Sequence, residues 1–137
     1  MKKTEEKVLL YQFADAELTS VREVLRKLQI KSECLPEDAW RQKVGYLLGI
    51  KGFAAAGKSD ELEDFVFPHE VLVFSNIKNK RLDQVLAAFR EAGIPHIKFK
   101  AVVTPFNTLW TLRRLCETMQ KEHAAMAEQA SKEDQSV

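Results

Sequence analysis

Gly52, Gly57, Lys58 and Ser59 stand in the order GxxxxGKS. In phosphate-binding loops that spacing lets backbone N–H groups wrap the phosphates, the lysine reach the terminal ones and the hydroxyl hold magnesium. The chemistry would be nucleotide binding or hydrolysis, but the surroundings argue against it. Such a loop follows a strand, whereas Trp40, Val44, Leu47 and Leu48 ahead of it fall at helical spacing. Asp60, Glu61, Glu63 and Asp64 would crowd the bound anion with carboxylates, and Val71 to Phe74 runs into Ser75 and Asn76 rather than into an aspartate for magnesium. A loop rich in Gly, Ala and Lys explains these residues better, and no nucleotide hydrolase is expected.

A second candidate is the basic turn Lys78, Asn79, Lys80 and Arg81 after the apolar run Val71 to Phe74. Cations at the start of a helix oppose its dipole unless an anion joins them, such as phosphate, a carboxylate or an acidic stretch of the same chain. A solvated surface run, paired with Asp60 to Asp64, is the plainer reading. The third candidate is Thr104 to Thr111, in which Asn107, Thr108 and Trp110 offer hydrogen bonds and an aromatic wall, although capping and packing would use the same residues. Together these nominate Ser75, Asn76, Lys78, Lys80, Arg81, Lys100, Thr104, Asn107 and Trp110 as ligand-binding residues.

The remaining reactive types are scattered. His69, His96 and His123 share no metal-ligand spacing, and His69 and His96 read as surface residues. Cys34 and Cys116 form no redox or metal motif and read as free thiols in a reducing compartment. No Ser, His and Asp constellation is visible, so catalysis, a metal and a cofactor have no positive support.

Strand and helix patterns alternate along the chain. Val8 to Phe13 is followed by a helix carrying Leu18, Val21, Leu25 and Leu28, and Ser32 to Leu35 is a short polar strand. Pro36, Glu37 and Asp38 then look like the start of a helix that ends near Gly49 or Gly52. Phe53 to Pro68 reads as a loop anchored by Phe65, Val66 and Phe67, and Glu70 to Ser75 is the third strand. A helix from about Asn79 to Ala92 stops at Gly93. The fourth strand, Ile97 to Val103, has Lys98, Lys100 and Val102 on a wetter face, as at a sheet edge. Thr104 and Pro105 cap a last helix with Leu109, Leu112, Cys116 and Met119 on one stripe.

The first strand, helix and return resemble the third strand, helix and return, an internal repeat over about 8–36 and 71–105. The fold class is therefore α/β: a four-stranded, mainly parallel sheet in the order 2-1-3-4 with helices on both faces and right-handed crossovers. A ferredoxin-like α+β sheet from a duplicated βαβ unit is the alternative. In the parallel sheet the loops after the first and third strands would meet along one rim, where ligands of such folds bind.

With 137 residues the chain makes one domain, placed at residues 1–129, with a polar tail at 130–137 that lacks apolar anchors and should be disordered. A net charge of +1 excludes strong whole-molecule attraction to nucleic acid or acidic membrane. RNA binding ranks last, because Phe99 faces away from Lys98 and Lys100 in a strand. No apolar run approaches the roughly 20 residues a membrane span needs, and a cytoplasmic location is expected.

Tyr46 to Phe53, Val71 to Ser75, Gly93, Ile94, Pro95, Lys100, Ala101, Val102, Thr104, Pro105, Asn107, Trp110 and Thr111 resemble a family of small bacterial proteins. It is catalogued as domain of unknown function thirty-seven eighty-three. The resemblance implies a shared fold, is strongest in the second half of the chain, and carries no activity or site residues to transfer. Folding explains most of the pattern and leaves Tyr46, Lys51, Ser75, Asn76, Lys100, Asn107 and Trp110 unexplained. The expected function is a noncatalytic binding or interaction module, with a homodimer or protein partner on the C-terminal helix. The rival is a sensor or enzyme for a small anionic or phosphate-containing ligand at the carboxyl-end rim of the sheet.

Overall fold

The apolar runs and helical stripes settle into eight elements in the computed structural model, which describes residues 5–56 and 65–135. They are β1 (Lys7–Tyr11), α1 (Asp15–Lys27), β2 (Lys31–Cys34), α2 (Val44–Leu47), β3 (Val71–Ser75), α3 (Asn79–Glu91), β4 (Phe99–Val102) and α4 (Leu112–Gln135). Single 3-10 turns, Glu37–Arg41 and Asn107–Leu109, precede α2 and α4. Gly57, Lys58, Ser59 and the acidic run Asp60 to Asp64 lie outside the described residues, while Gly52 follows a helix and a turn rather than a strand.

The sheet has the order β2-β1-β3-β4, as the sequence implies. Its outer pairs, β1 with β2 and β3 with β4, are parallel. The central pair is antiparallel, with Lys7 opposite Ser75 and Tyr11 opposite Val71. The sheet is thus mixed: each βαβ unit is parallel within itself, and the two units meet head to tail. The ferredoxin-like alternative has the wrong strand order, although its head-to-tail relation of two βαβ units is present.

Side chains alternate along every strand. Val8, Leu10, Leu72 and Phe74 face one layer with Val21, Leu25, Val85 and Phe89 from α1 and α3. Leu9, Tyr11, Val71, Val73 and Phe99 face the opposite layer with Leu35, Val44, Phe67, Leu112, Leu115 and Cys116. Cover on both faces is why β1 and β3 read as unbroken apolar runs.

The two units correspond closely in number. Lys7–Tyr11 to Val71–Ser75 and Asp15–Lys27 to Asn79–Glu91 are both shifts of 64 residues, and Lys31–Cys34 to Phe99–Val102 is a shift of 68. Backbone details follow the same numbering. Gln12 and Asn76 have φ of +65° and +60°, and the residues after each helix, Gln29 and Gly93, have φ of +62° and +76°. Ile30 and Ile94 close both helices by donating their N–H groups to Leu25 and Phe89.

Two helix boundaries differ from the sequence reading. The helix expected from Pro36 to Gly49 is interrupted at Gln42 and Lys43, and the one expected to start at Pro105 starts at Leu112. The cause lies between them. Lys43 and Thr111 form an antiparallel bridge, in which Val44 N–H donates to the Trp110 carbonyl and Leu112 N–H to the Gln42 carbonyl, each at 2.9 Å. Both chains must be extended there, so both helices begin one residue later. At the other end α4 continues to Gln135, through residues 130–135 where the sequence suggests no order.

Arg81 is the polar tie between the units. Its Nε donates to Glu6 Oε2 at 2.9 Å and one terminal nitrogen to the Leu28 carbonyl, which joins α3 to the start of β1 and to the end of α1. Both partners of the ion pair are under one-third exposed, at 28% and 29%. Arg81→Met should therefore lower the unfolding free energy by about 1–3 kcal/mol, the cost of orphaning partly buried charged groups. Arg26→Met, which removes a fully solvated pair, should leave the midpoint unchanged; urea denaturation followed by circular dichroism compares them.

Candidate functional site

The basic turn of the second unit sits at the carboxyl end of β3, where the antiparallel pairing also delivers the acidic start of β1. Asn76 Nδ2 donates to the Glu5 carbonyl at 2.9 Å and Arg81 binds Glu6, while Lys31 from the start of β2 meets Glu5 at 2.7 Å. The Lys31 ammonium, by hydrogen bond and charge, holds the Glu5 carboxyl below its usual range. Of the cations in the turn, Arg81 is thus partnered by Glu6 of this chain, and the Glu5 carboxylate belongs to Lys31. Ser75 is buried at the end of β3, opposite Lys7, and Lys78 and Lys80 are exposed.

Thr104 and Asn107 lie at the same end of the sheet, since Val103 N–H donates to the Phe74 carbonyl. Their polar atoms are spent on each other. Thr104 N–H donates to Asn107 Oδ1 at 2.8 Å, Asn107 N–H to Thr104 Oγ1 at 3.1 Å, and Asn107 Nδ2 to the Val102 carbonyl at 3.0 Å. This closed turn explains a buried asparagine without a ligand. Trp110 packs at the edge of the α4 layer, with the Arg114 guanidinium 4.4 Å from its ring centre.

The rim expected to combine the loops after β1 and β3 does not form. Antiparallel pairing sends Phe13 and Ser75 to opposite ends of the sheet. Of the nine nominated residues, Ser75, Asn76, Lys78, Lys80, Arg81, Thr104 and Asn107 belong to one end, Trp110 packs on the α4 layer, and Lys100 stands apart. Lys100 pairs with Leu72, on the α3 face, and its side chain is half-buried in a groove rather than solvated. That groove, of about 310 Å³, runs between α3 and β4 with Leu86, Phe89, Ile94 and Ile97 in its walls. Burial lowers the Lys100 pKa.

A second cleft, of about 390 Å³, opens at the carboxyl end of β1 and shares His96 and Ile97 with the groove. Gln12, Glu17, His69, Glu70 and Lys98 also line it. Sequence reasoning missed this group, because Glu17 and Glu70 come together only through the sheet; the one local hint was a carboxylate directly ahead of an apolar strand. Among the described residues no group of three or more His, Cys, Asp or Glu side chains is placed to hold a metal ion. Cys116 is buried and its thiol is pushed up to about 12 by burial, so it is protonated at neutral pH and no nucleophile.

These placements can be set beside known proteins. Residues 70–126 match the family described as Domain of unknown function (DUF3783). No curated protein and no solved structure matches the chain. The DUF3783 match runs from Glu70, directly before β3, to Met126 in α4, so it spans the second unit, and Tyr46 to Phe53 falls outside it. All nine nominated residues lie within it.

The matched segment supplies Glu70 to the second cleft, and the first unit supplies Glu17. Burial first, and then the hydrogen bond and negative charge of Glu17, raise Glu70 to about 7. The pair therefore holds a proton near neutral pH and can give or accept one. The sign for stability follows. Glu70 ionises at about 4.5 when unfolded and about 7 when folded, so the unfolded chain loses its proton first and stability declines as pH rises from about 4.5 to about 7. Melting temperature measured across that interval should fall for the natural chain relative to Glu70→Gln, in which this component of the slope is absent; parallel curves would contradict the shared proton.

Proposed function

We propose that this chain is a noncatalytic interaction module that pairs with a second copy of itself through the outer part of α4. The observation that carries the reading is the length of that helix. Its 24 residues extend about 36 Å, whereas the four- and five-residue strands beneath span about 13–17 Å. Leu112, Leu115 and Cys116 are buried on the sheet, Met119 packs at its edge, and the His123 ring lies 5.6 Å from Phe99. Beyond that contact Ala124, Ala125, Met126 and Ala127 are exposed, Met126 by 70%.

Leu112, Met119 and Met126 are spaced by seven, so the stripe that begins on the sheet continues past it. An antiparallel second copy would cover the uncovered part with the same stripe, as closed twofold assemblies do. Small alanines beside a methionine permit close helix approach. The two unpaired cysteines, one exposed and one buried, suit a reducing cytoplasm, where we place this activity. No helix among the described residues is long and apolar enough to cross a membrane.

Light scattering coupled to size exclusion tests this directly. The apparent mass should rise from 15.7 kDa toward twice that value with concentration, and Met126→Glu should hold it at the lower figure. A natural chain that stays at monomer mass throughout the range refutes the proposal.

A further inference from the structure

The correspondence between the two units provides an internal comparison for the groove beside Lys100. The equivalent groove on the first unit is lined by Leu18, Thr19, Arg22, Glu23, Arg26, Ile30 and Ser32. At shifts of 64 or 68 these positions become Asp83 for Thr19, Leu86 for Arg22, Ala87 for Glu23, Arg90 for Arg26, Ile94 for Ile30 and Lys100 for Ser32. The charges change place: Arg22 gives way to Leu86 and Ser32 to Lys100, while Thr19 gives way to the carboxylate of Asp83. In the first unit Arg26 is neutralised by Glu23 at 2.8 Å and the strand position is a serine. In the second the glutamate is an alanine, Arg90 has lost that partner, and the serine is a lysine.

The walls change as well. Ile30 leads directly into β2, whereas Ile94 is followed by Pro95, His96, Ile97 and Lys98 before β4 begins. Pro95, His96 and Ile97 from this insertion build one side of the groove, and Leu86 and Phe89 make the other apolar. Lys100 and Arg90 form no hydrogen bond or ion pair among the described residues, and neither does Asp83, the carboxylate in the lining. A half-buried ammonium without a counterion beside apolar walls is a costly arrangement that an anion relieves. At about 310 Å³ the groove is at the small end of ligand sites and suits a short apolar chain or ring.

We infer that the groove between α3 and β4 binds a small organic carboxylate with an apolar body, its carboxylate on Lys100 with Arg90 at the mouth, and its body against Leu72, Leu86 and Phe89. The site is independent of the helix pairing proposed above, and oligomeric state does not enter its test. Calorimetric titration of the full chain with octanoate should give saturable binding. Lys100→Met, which keeps the stem and removes the charge, should weaken it roughly tenfold or more. Leu86→Arg, which restores the residue of the first unit, should abolish it while leaving the circular dichroism spectrum unchanged. Octanol should bind far more weakly than octanoate, and inorganic phosphate should not compete. The inference is overturned if octanoate does not saturate, if Lys100→Met binds equally, or if octanol or phosphate matches octanoate.

Discussion

The head-to-tail pairing of β1 with β3 is the constraint on which the rest of this structure depends. It places Lys7 opposite Ser75 and thereby carries Glu5 and Glu6 to the turn that contains Lys78, Lys80 and Arg81. Arg81 of that run finds its counterion in Glu6 across the seam between the units, while Lys78 and Lys80 stay exposed. The same pairing puts α1 and α3 on one face of the sheet, where they share a core. It also sends the loops after β1 and β3 to opposite ends. Instead of one composite rim, the molecule has at one end a turn tied by Arg81 and Asn107 and, at the other end, a cleft where Glu17 meets Glu70.

The opposite face is organised by a smaller contact. The bridge between Lys43 and Thr111 joins the segments that follow β2 and β4, and each donates one N–H group across it. An extended pair at this point costs each segment its helix for two or three residues and gains two backbone hydrogen bonds in a crowded layer. It also sets the direction in which α4 leaves the bridge. Near the bridge the Phe53 ring lies within 2.5 Å of where a Cβ on Gly45 would stand, so only glycine fits there with the ring in place. The helix that contains Gly45 is one turn long, whereas its counterpart in the second unit runs for 24 residues. Equivalent starting points thus lead to a short cap on one side and a projecting helix on the other.

The units diverge most in the features on which the proposals above rest. The first unit pairs Arg26 with Glu23 in its exposed groove, and its edge strand, Lys31–Cys34, is polar. The second unit gains four residues before its edge strand, loses the glutamate, and acquires Lys100. The family match covers this second unit and stops short of the first. Aromatic packing reinforces the same side of the molecule, since Phe67 and Phe99 meet edge to face at 5.1 Å and His69 and His123 lie against Phe99. The groove, the proton-sharing carboxylates and the projecting helix are therefore all anchored, wholly or in part, on β3, β4 and their connections.

Sequence reasoning reached the four strands, the stop at Gly93, the strand order and the two-sided cover. These depend on local periodicity and on which strands carry apolar residues at every position, and both are written along the chain. Strand direction was not legible, because an apolar run reads the same whether its neighbour is parallel or antiparallel. That single ambiguity misplaced the rim. The breaks at Gln42 and before Leu112 were hidden for a related reason: each helix start is decided by a residue 68 positions away. Lys100 was found by type but put on the wet face, since the insertion that covers it folds back from outside the strand. Glu17 and Glu70, 53 residues apart, share a proton only because the sheet closes between them. What the residues determined alone is the set of elements and their amphipathic faces; what tertiary structure decided is which charges meet, because charge pairing depends on distance in space and periodicity does not.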